Sequence, residues 1–156
     1  LPLQQPHPPI WMAAFGPKAL QQTAKLGVPY LASPMESMAQ LEKNYQIYTG
    51  ALDEYEQPRP EVVAVMRTIF ISDDSQLCAR VRDELTRTAS AIKLGSLDTK
   101  KSWIVGNAEQ VASEINQYRQ HLGMNYLIAT RPGIKGLEAE YCEHSMRELA
   151  AMTALK

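Results

Sequence analysis

The sequence runs to 156 residues with 16 basic and 17 acidic side chains, a net charge of −1 and 45% hydrophobic residues. That is enough to bury the core of one domain spanning 1–156. No run of Lys or Arg tracks along a face, so there is no electrostatic case for nucleic acid or a membrane surface as partner. No apolar segment approaches the roughly 20 residues of a membrane-spanning helix. No signal peptide is recognisable either, so a cytoplasmic location is expected. Cys78 and Cys142 fall inside expected helices with no CxxC and no His at ligand spacing. They are expected to be reduced, buried or half-buried thiols, and no metal site is expected.

Residues 1–8 hold three prolines and read as an extended arm. Residues 9–14 are apolar and bounded by prolines, as a fully buried strand would be. Phe15-Gly16-Pro17 stops that run. Gly16 opens backbone conformations closed to other residues, and Pro17 suits the first helical position. A helix over 18–26 follows, with Ala19, Leu20, Thr23 and Ala24 facing inward and Gly27 as its stop. A strand feeding a helix through so tight a turn leaves free N–H groups at the sheet's C-terminal edge, a generic seat for a phosphate.

Residues 28–33 read as a second buried strand, ended by Pro34. Met38, Leu41, Tyr45 and Tyr48 form one apolar stripe on a helix from Met35 to about Ala51. A polar connection over 53–60 leads to residues 62–72, the strongest strand of the chain and rich in β-branched residues. Asp73-Asp74 caps a helix to about Ile92, with Leu77, Val81 and Leu85 on one face. Residues 93–105 read as a long loop, and the Lys100-Lys101 pair within it reads as solvated charge or part of a lid.

Asn107-Ala108-Glu109-Gln110 has the form of a capping box. Its helix puts Val111, Ile115, Tyr118 and Leu122 on one face and stops at Gly123. Residues 125–130 form a fourth strand, and Arg131-Pro132-Gly133 turns out of it. A closing helix over 138–155 is expected to face inward with Tyr141, Ser145, Leu149 and Met152. Strict alternation of short buried strands with helices means a parallel sheet covered by helices. Two architectures fit: a small doubly wound sheet, or half of a (β/α)8 barrel, whose full form takes about 250 residues.

Four stretches together look like a known family. Residues 11–20 with 24–29 resemble the fifth strand-helix unit of the bacterial luciferase-like flavin monooxygenases. Residues 40–45 sit where the family's next helix runs, and 104–112 are similar to its "hGTPEEVA" signature, with Asn107 and Ala108 in place of Thr and Pro. Residues 129–133 with 145–149 resemble its closing strand and helix. The resemblance covers the whole chain but only the C-terminal half of a family member. It implies a fold of (β/α)8 TIM-barrel type, here about four C-terminal β/α units.

It further implies a flavin-dependent enzyme that uses FMN, or alternatively a deazaflavin, with oxygen and a small organic substrate. The turn after the family's fifth strand holds the cofactor phosphate, which carries over to Ala14, Phe15, Gly16, Lys18 and Ala19 as cofactor-binding residues. Relatives often place a hydroxyl in that turn, whereas this chain has Phe15, Gly16 and Pro17, and Pro17 lacks an N–H. Lys18 reads equally as a partner for an anion or as a solvated surface lysine. Ser33, Met35 and Arg131 leave their strands at the end where barrel sites lie and are candidates for the substrate pocket. No catalytic residue is assigned: the family's catalytic His belongs to the half not represented, and His7, His121 and His144 read as surface residues. A second reading is a non-catalytic half-barrel that binds a phosphate-bearing ligand or pairs as a homodimer through its two open sheet edges. A third, without flavin, is the doubly wound sheet; strand order separates it from the barrel.

Overall fold

A computed structural model describes residues 3, 5–91 and 102–154. The chain alternates strand and helix: β1 (Met12–Ala13), α1 (Pro17–Lys25), β2 (Tyr30–Ala32), α2 (Met38–Glu54), β3 (Ala64–Ile71), α3 (Ser75–Ala91), β4 (Trp103–Gly106), α4 (Ala108–Leu122), β5 (Tyr126–Thr130) and α5 (Ala139–Ala154). Every strand pairing is parallel. The four expected strands lie side by side in chain order: β1 on β2, β2 on β3, and β5 on the free edge of β3. Ala64 has Leu31 on one side and Tyr126 on the other. This order is that of a barrel segment, with no switch point, and it removes the doubly wound alternative.

The sheet is curved. Trp11, beside β1, meets Tyr126 of β5 edge to face with ring centroids 4.9 Å apart, although two strands intervene. A flat sheet would hold those strands roughly 14 Å apart, so the sheet curls towards the face that carries both rings.

Strand β3 is the keel. Val65, Ile69 and Ile71 point outward into a core shared with Leu20 and Ala24 of α1, Leu41 and Tyr48 of α2, Val111 and Ile115 of α4, and Leu149 of α5. Phe70 and Val105 alternate to the opposite face and form a smaller core with Cys78 and Val81 of α3. Asn125 fixes the register of β5: its Oδ1 accepts the Val63 N–H at 2.8 Å and its Nδ2 donates to the Glu61 carbonyl at 2.6 Å.

Local signals set most of the helix ends. The Asn107 side chain accepts the Gln110 N–H and the Gln110 side chain accepts the Asn107 N–H, and Gly123 closes α4 at φ 69°. Asp74 Oδ1 accepts from the Gln76 and Leu77 amides at 2.9 and 3.1 Å. Both cysteines are buried and free.

Several expectations are corrected. The opening strand is neither six residues long nor fully buried: β1 has two residues and Ile10 is 55% exposed, because no strand among the described residues pairs with its outer edge. The stretch read as the end of a loop contains β4, whose Trp103 to Gly106 pair with Thr68 to Ile71. The remainder of that loop, with Lys100 and Lys101, lies outside the described residues. Helix α2 begins three residues later than Met35, at Met38, because Ser37 is its N-cap and accepts the Gln40 N–H. In α5 the inward face is Cys142, Ser145, Leu149 and half-buried Met152, while Tyr141 is 44% exposed.

Candidate functional site: the C-terminal rim of the sheet

Because all strands run the same way, the segments following them gather at one end. These are Ala14 to Pro17 after β1, Ser33 to Ser37 after β2, Ser72 to Asp74 after β3, and Arg131 onward after β5. The turn after β1 is open. Ala14 is buried against the core, Phe15 is 51% exposed, Gly16 and Lys18 are exposed, and Ala19 is half-buried.

Gly16 has φ 79° and ψ 164°, a backbone state that side chains oppose, and a Cβ placed there would meet no atom within 4 Å. Glycine is therefore needed for the bend, and the space above it is free. The helix ladder starts with the Leu20 N–H on the Gly16 carbonyl at 3.2 Å. That leaves the Lys18 and Ala19 amides ahead of the ladder, at the positive end of α1 with no side-chain cap. Two amides and one ammonium suit a phosphate. Relative to a turn with a hydroxyl, the chain offers fewer donors, and Pro17 offers none.

The segment after β2 is held from beneath. Ser33 is buried, its hydroxyl accepting the Met35 N–H at 3.1 Å, so Ser33 shapes the turn while Met35 is half-buried beside it. Below lies a polar cluster. Glu36 accepts from Asn44 Nδ2 at 2.7 Å and from the Tyr30 hydroxyl at 3.3 Å. Burial is the main reason the Glu36 carboxyl is pushed above its ordinary range; Asn44, Tyr30, Arg67 and the Ser33 amide pull it back. Burial likewise raises the Tyr30 phenol, with the Glu36 charge adding to it. These residues were not picked out from sequence. One signal was available: Arg67 interrupts an apolar strand at a position in phase with Val65 and Ile69, where a charge must be partnered.

Arg131 leaves β5 at the same end, yet it lines a cleft of about 270 Å³ with Cys142, Met146 and Arg147 of α5, apart from Ser33 and Met35. A larger cleft, about 490 Å³, lies at the other end of the molecule between α2 and α4, where His121 Nδ1 sits 2.8 Å from Glu42 Oε1. Neither cleft is lined by the Ala14–Ala19 turn. Among the described residues no group of three His, Cys, Asp or Glu is placed to hold a metal. No helix among them is long and apolar enough to cross a membrane.

A curved parallel sheet in barrel order, with α1, α2, α4 and α5 on its outer face and an open turn on its C-terminal rim, is the architecture of a β/α-barrel segment. The profile of the luciferase-like monooxygenases matches residues 1–125, and the chain belongs to that family. No curated protein sequence matches it. Monooxygenase RslO1 from Streptomyces bottropensis superposes with TM-score 0.73 at 18% identity, over 95% of this chain and 48% of that one. Flavoprotein 390 superposes with TM-score 0.73 at 9% identity, over 95% and 69%. The oxygenating constituent of 3,6-diketocamphane monooxygenase from the CAM plasmid of Pseudomonas putida, a type II Baeyer–Villiger monooxygenase in complex with FMN, gives 0.57 at 14%, over 81% and 43%. At these identities the likeness concerns the fold: TIM-barrel type, of which the chain spans about half the length of RslO1.

Proposed function

We propose that this chain is one domain over 1–156 that supplies the cofactor-phosphate side of a flavin-dependent monooxygenase. The observation that carries the reading is the turn over Ala14–Ala19, exposed from Phe15 to Lys18, with amides ahead of the α1 ladder, at the rim where barrel enzymes hold their ligands. Ala14 and Phe15 set the entry to the turn, Gly16 the bend, and Lys18 and Ala19 the donors. FMN is the favoured cofactor, since one structural neighbour is a complex with FMN; a deazaflavin carrying a phosphate would use the same donors. The flavin supplies the redox chemistry with oxygen, while this half of the barrel holds it and lines part of the pocket for a small organic substrate. Ser33 and Met35 border that pocket, and Arg131 meets an anionic group beside α5. Cytoplasmic residence, without a nucleic-acid or membrane partner, goes with this reading.

FMN fluorescence quenching, run beside riboflavin, tests it. FMN is expected to bind at least about tenfold more tightly, which corresponds to roughly one charge-assisted hydrogen-bond set. Lys18→Ala is expected to remove part of that difference. Equal affinity for the two flavins, or no quenching by either, overturns the reading.

One observation favours pairing of two copies: the inner face of the sheet has Tyr126 49% exposed, and no strand among the described residues pairs with the outer edge of β1 or β5. A two-fold axis along the barrel would lay β1 of each copy parallel to β5 of the other and close eight strands. Sedimentation showing a monomer at all concentrations removes this homodimer.

A further inference from the structure

Arg67 is fully buried in β3, and its side chain is spent on the rim segment after β2. Nη1 donates to the Ser33 carbonyl at 2.6 Å and to its neighbour Met66 at 2.8 Å, and Nη2 donates to the Glu36 carbonyl at 3.0 Å. The guanidinium lies over the Tyr118 ring, 4.7 Å from its centroid. Its Nε has no partner among the described residues. A dry cation with an orphaned donor is a poor way to add stability, and an apolar side chain like those of Val65 and Ile69 fills such a place at less cost. What an apolar residue lacks is a rigid fork that reaches two carbonyls three residues apart, and lysine lacks it too.

The segment is also tied from its own side. The Glu36 carboxylate turns inward to Asn44 and Tyr30, and the Ser33 hydroxyl takes the Met35 amide. With both flanking carbonyls facing one cation, residues 33–36 cannot take another path without leaving buried groups unpaired.

We propose that Arg67 is a positioning residue: its guanidinium sets the backbone path of residues 33–36 and thereby holds Met35 at the rim. What Met35 then meets rests on the function proposed above; the clamp itself does not.

Hydrogen exchange by mass spectrometry on the whole chain, comparing wild type with Arg67→Lys, tests it with flavin titration alongside. In Arg67→Lys, exchange of residues 33–37 is expected to rise about tenfold, the loss of one charged hydrogen bond, while 64–71 stay protected. FMN affinity is expected to fall by a similar factor. A role confined to stability would raise exchange in both segments together, and that result overturns the proposal, as does unchanged exchange in 33–37. If Arg67→Lys does not fold, wild-type exchange at sub-denaturing urea decides. Residues 33–37 opening only together with 64–71 support the clamp, and opening independent of urea sinks it. Should wild type fail to bind FMN while the exchange pattern holds, the proposed function fails and the clamp stands.

Discussion

The two faces of β3 live in different surroundings. Outward-pointing Val65, Arg67, Ile69 and Ile71 are covered by α2, α4 and α5, whereas Met66 and Thr68 on the inner face are half-buried. A parallel sheet normally has both faces covered. Among the described residues, the inner face is covered where α3 seats on Phe70 and where Trp11 and Tyr126 meet across the hollow. The larger share of buried apolar surface among these residues therefore lies on the outer face.

Truncations break or sharpen that contrast. Ile69→Ala, outward and fully buried, is expected to lower unfolding free energy by about 3 kcal/mol in urea titration. Met66→Ala, one face over, is expected to cost about 1 kcal/mol, since little is lost where water already reaches. Equal costs would mean that the inner face is covered in solution, and the two-copy barrel would then gain support. Asn107→Ala removes the reciprocal cap that starts α4 and should cost about 1 kcal/mol. Its melting temperature should drop without change in flavin binding.

What the sequence disclosed follows the same division. Gly16, Pro17, Gly27 and the Asn107–Gln110 box were legible because each acts within a few residues of itself. The stripe on α2 was legible because its period is its own. The burial of β1 was not legible because it depends on a neighbour, and no strand among the described residues pairs with its outer edge. β4 was missed because four residues become a strand only when Thr68 to Ile71 offer an edge. That the turn after β1 lies at the sheet's C-terminal end was legible because parallel order alone puts it there. The Arg67–Glu36 cluster was not, since it joins residues 31 apart that only folding brings face to face.

The smallest expected effect concerns that cluster and asks which of two forces governs Glu36. Burial pushes its carboxyl above the usual 4.5, while Asn44, Tyr30, Arg67 and the Ser33 amide pull it down. Burial prevails, so the folded state holds the proton more tightly than the unfolded chain does. The stability this gives is fully present below the unfolded value and fades as pH rises through the folded one. Glu36→Gln keeps the shape and cannot titrate. Wild type should therefore lose ground to Glu36→Gln as pH climbs from 4 towards neutrality, measured as the difference between their urea midpoints. The Tyr30 and Tyr45 phenols, both raised by burial, stay neutral throughout that window. Were wild type instead to gain on the variant over the same range, the attraction of Arg67 would outweigh desolvation, and the cluster would act as an ion pair holding the rim segment rather than as a buried acid tolerated beneath it.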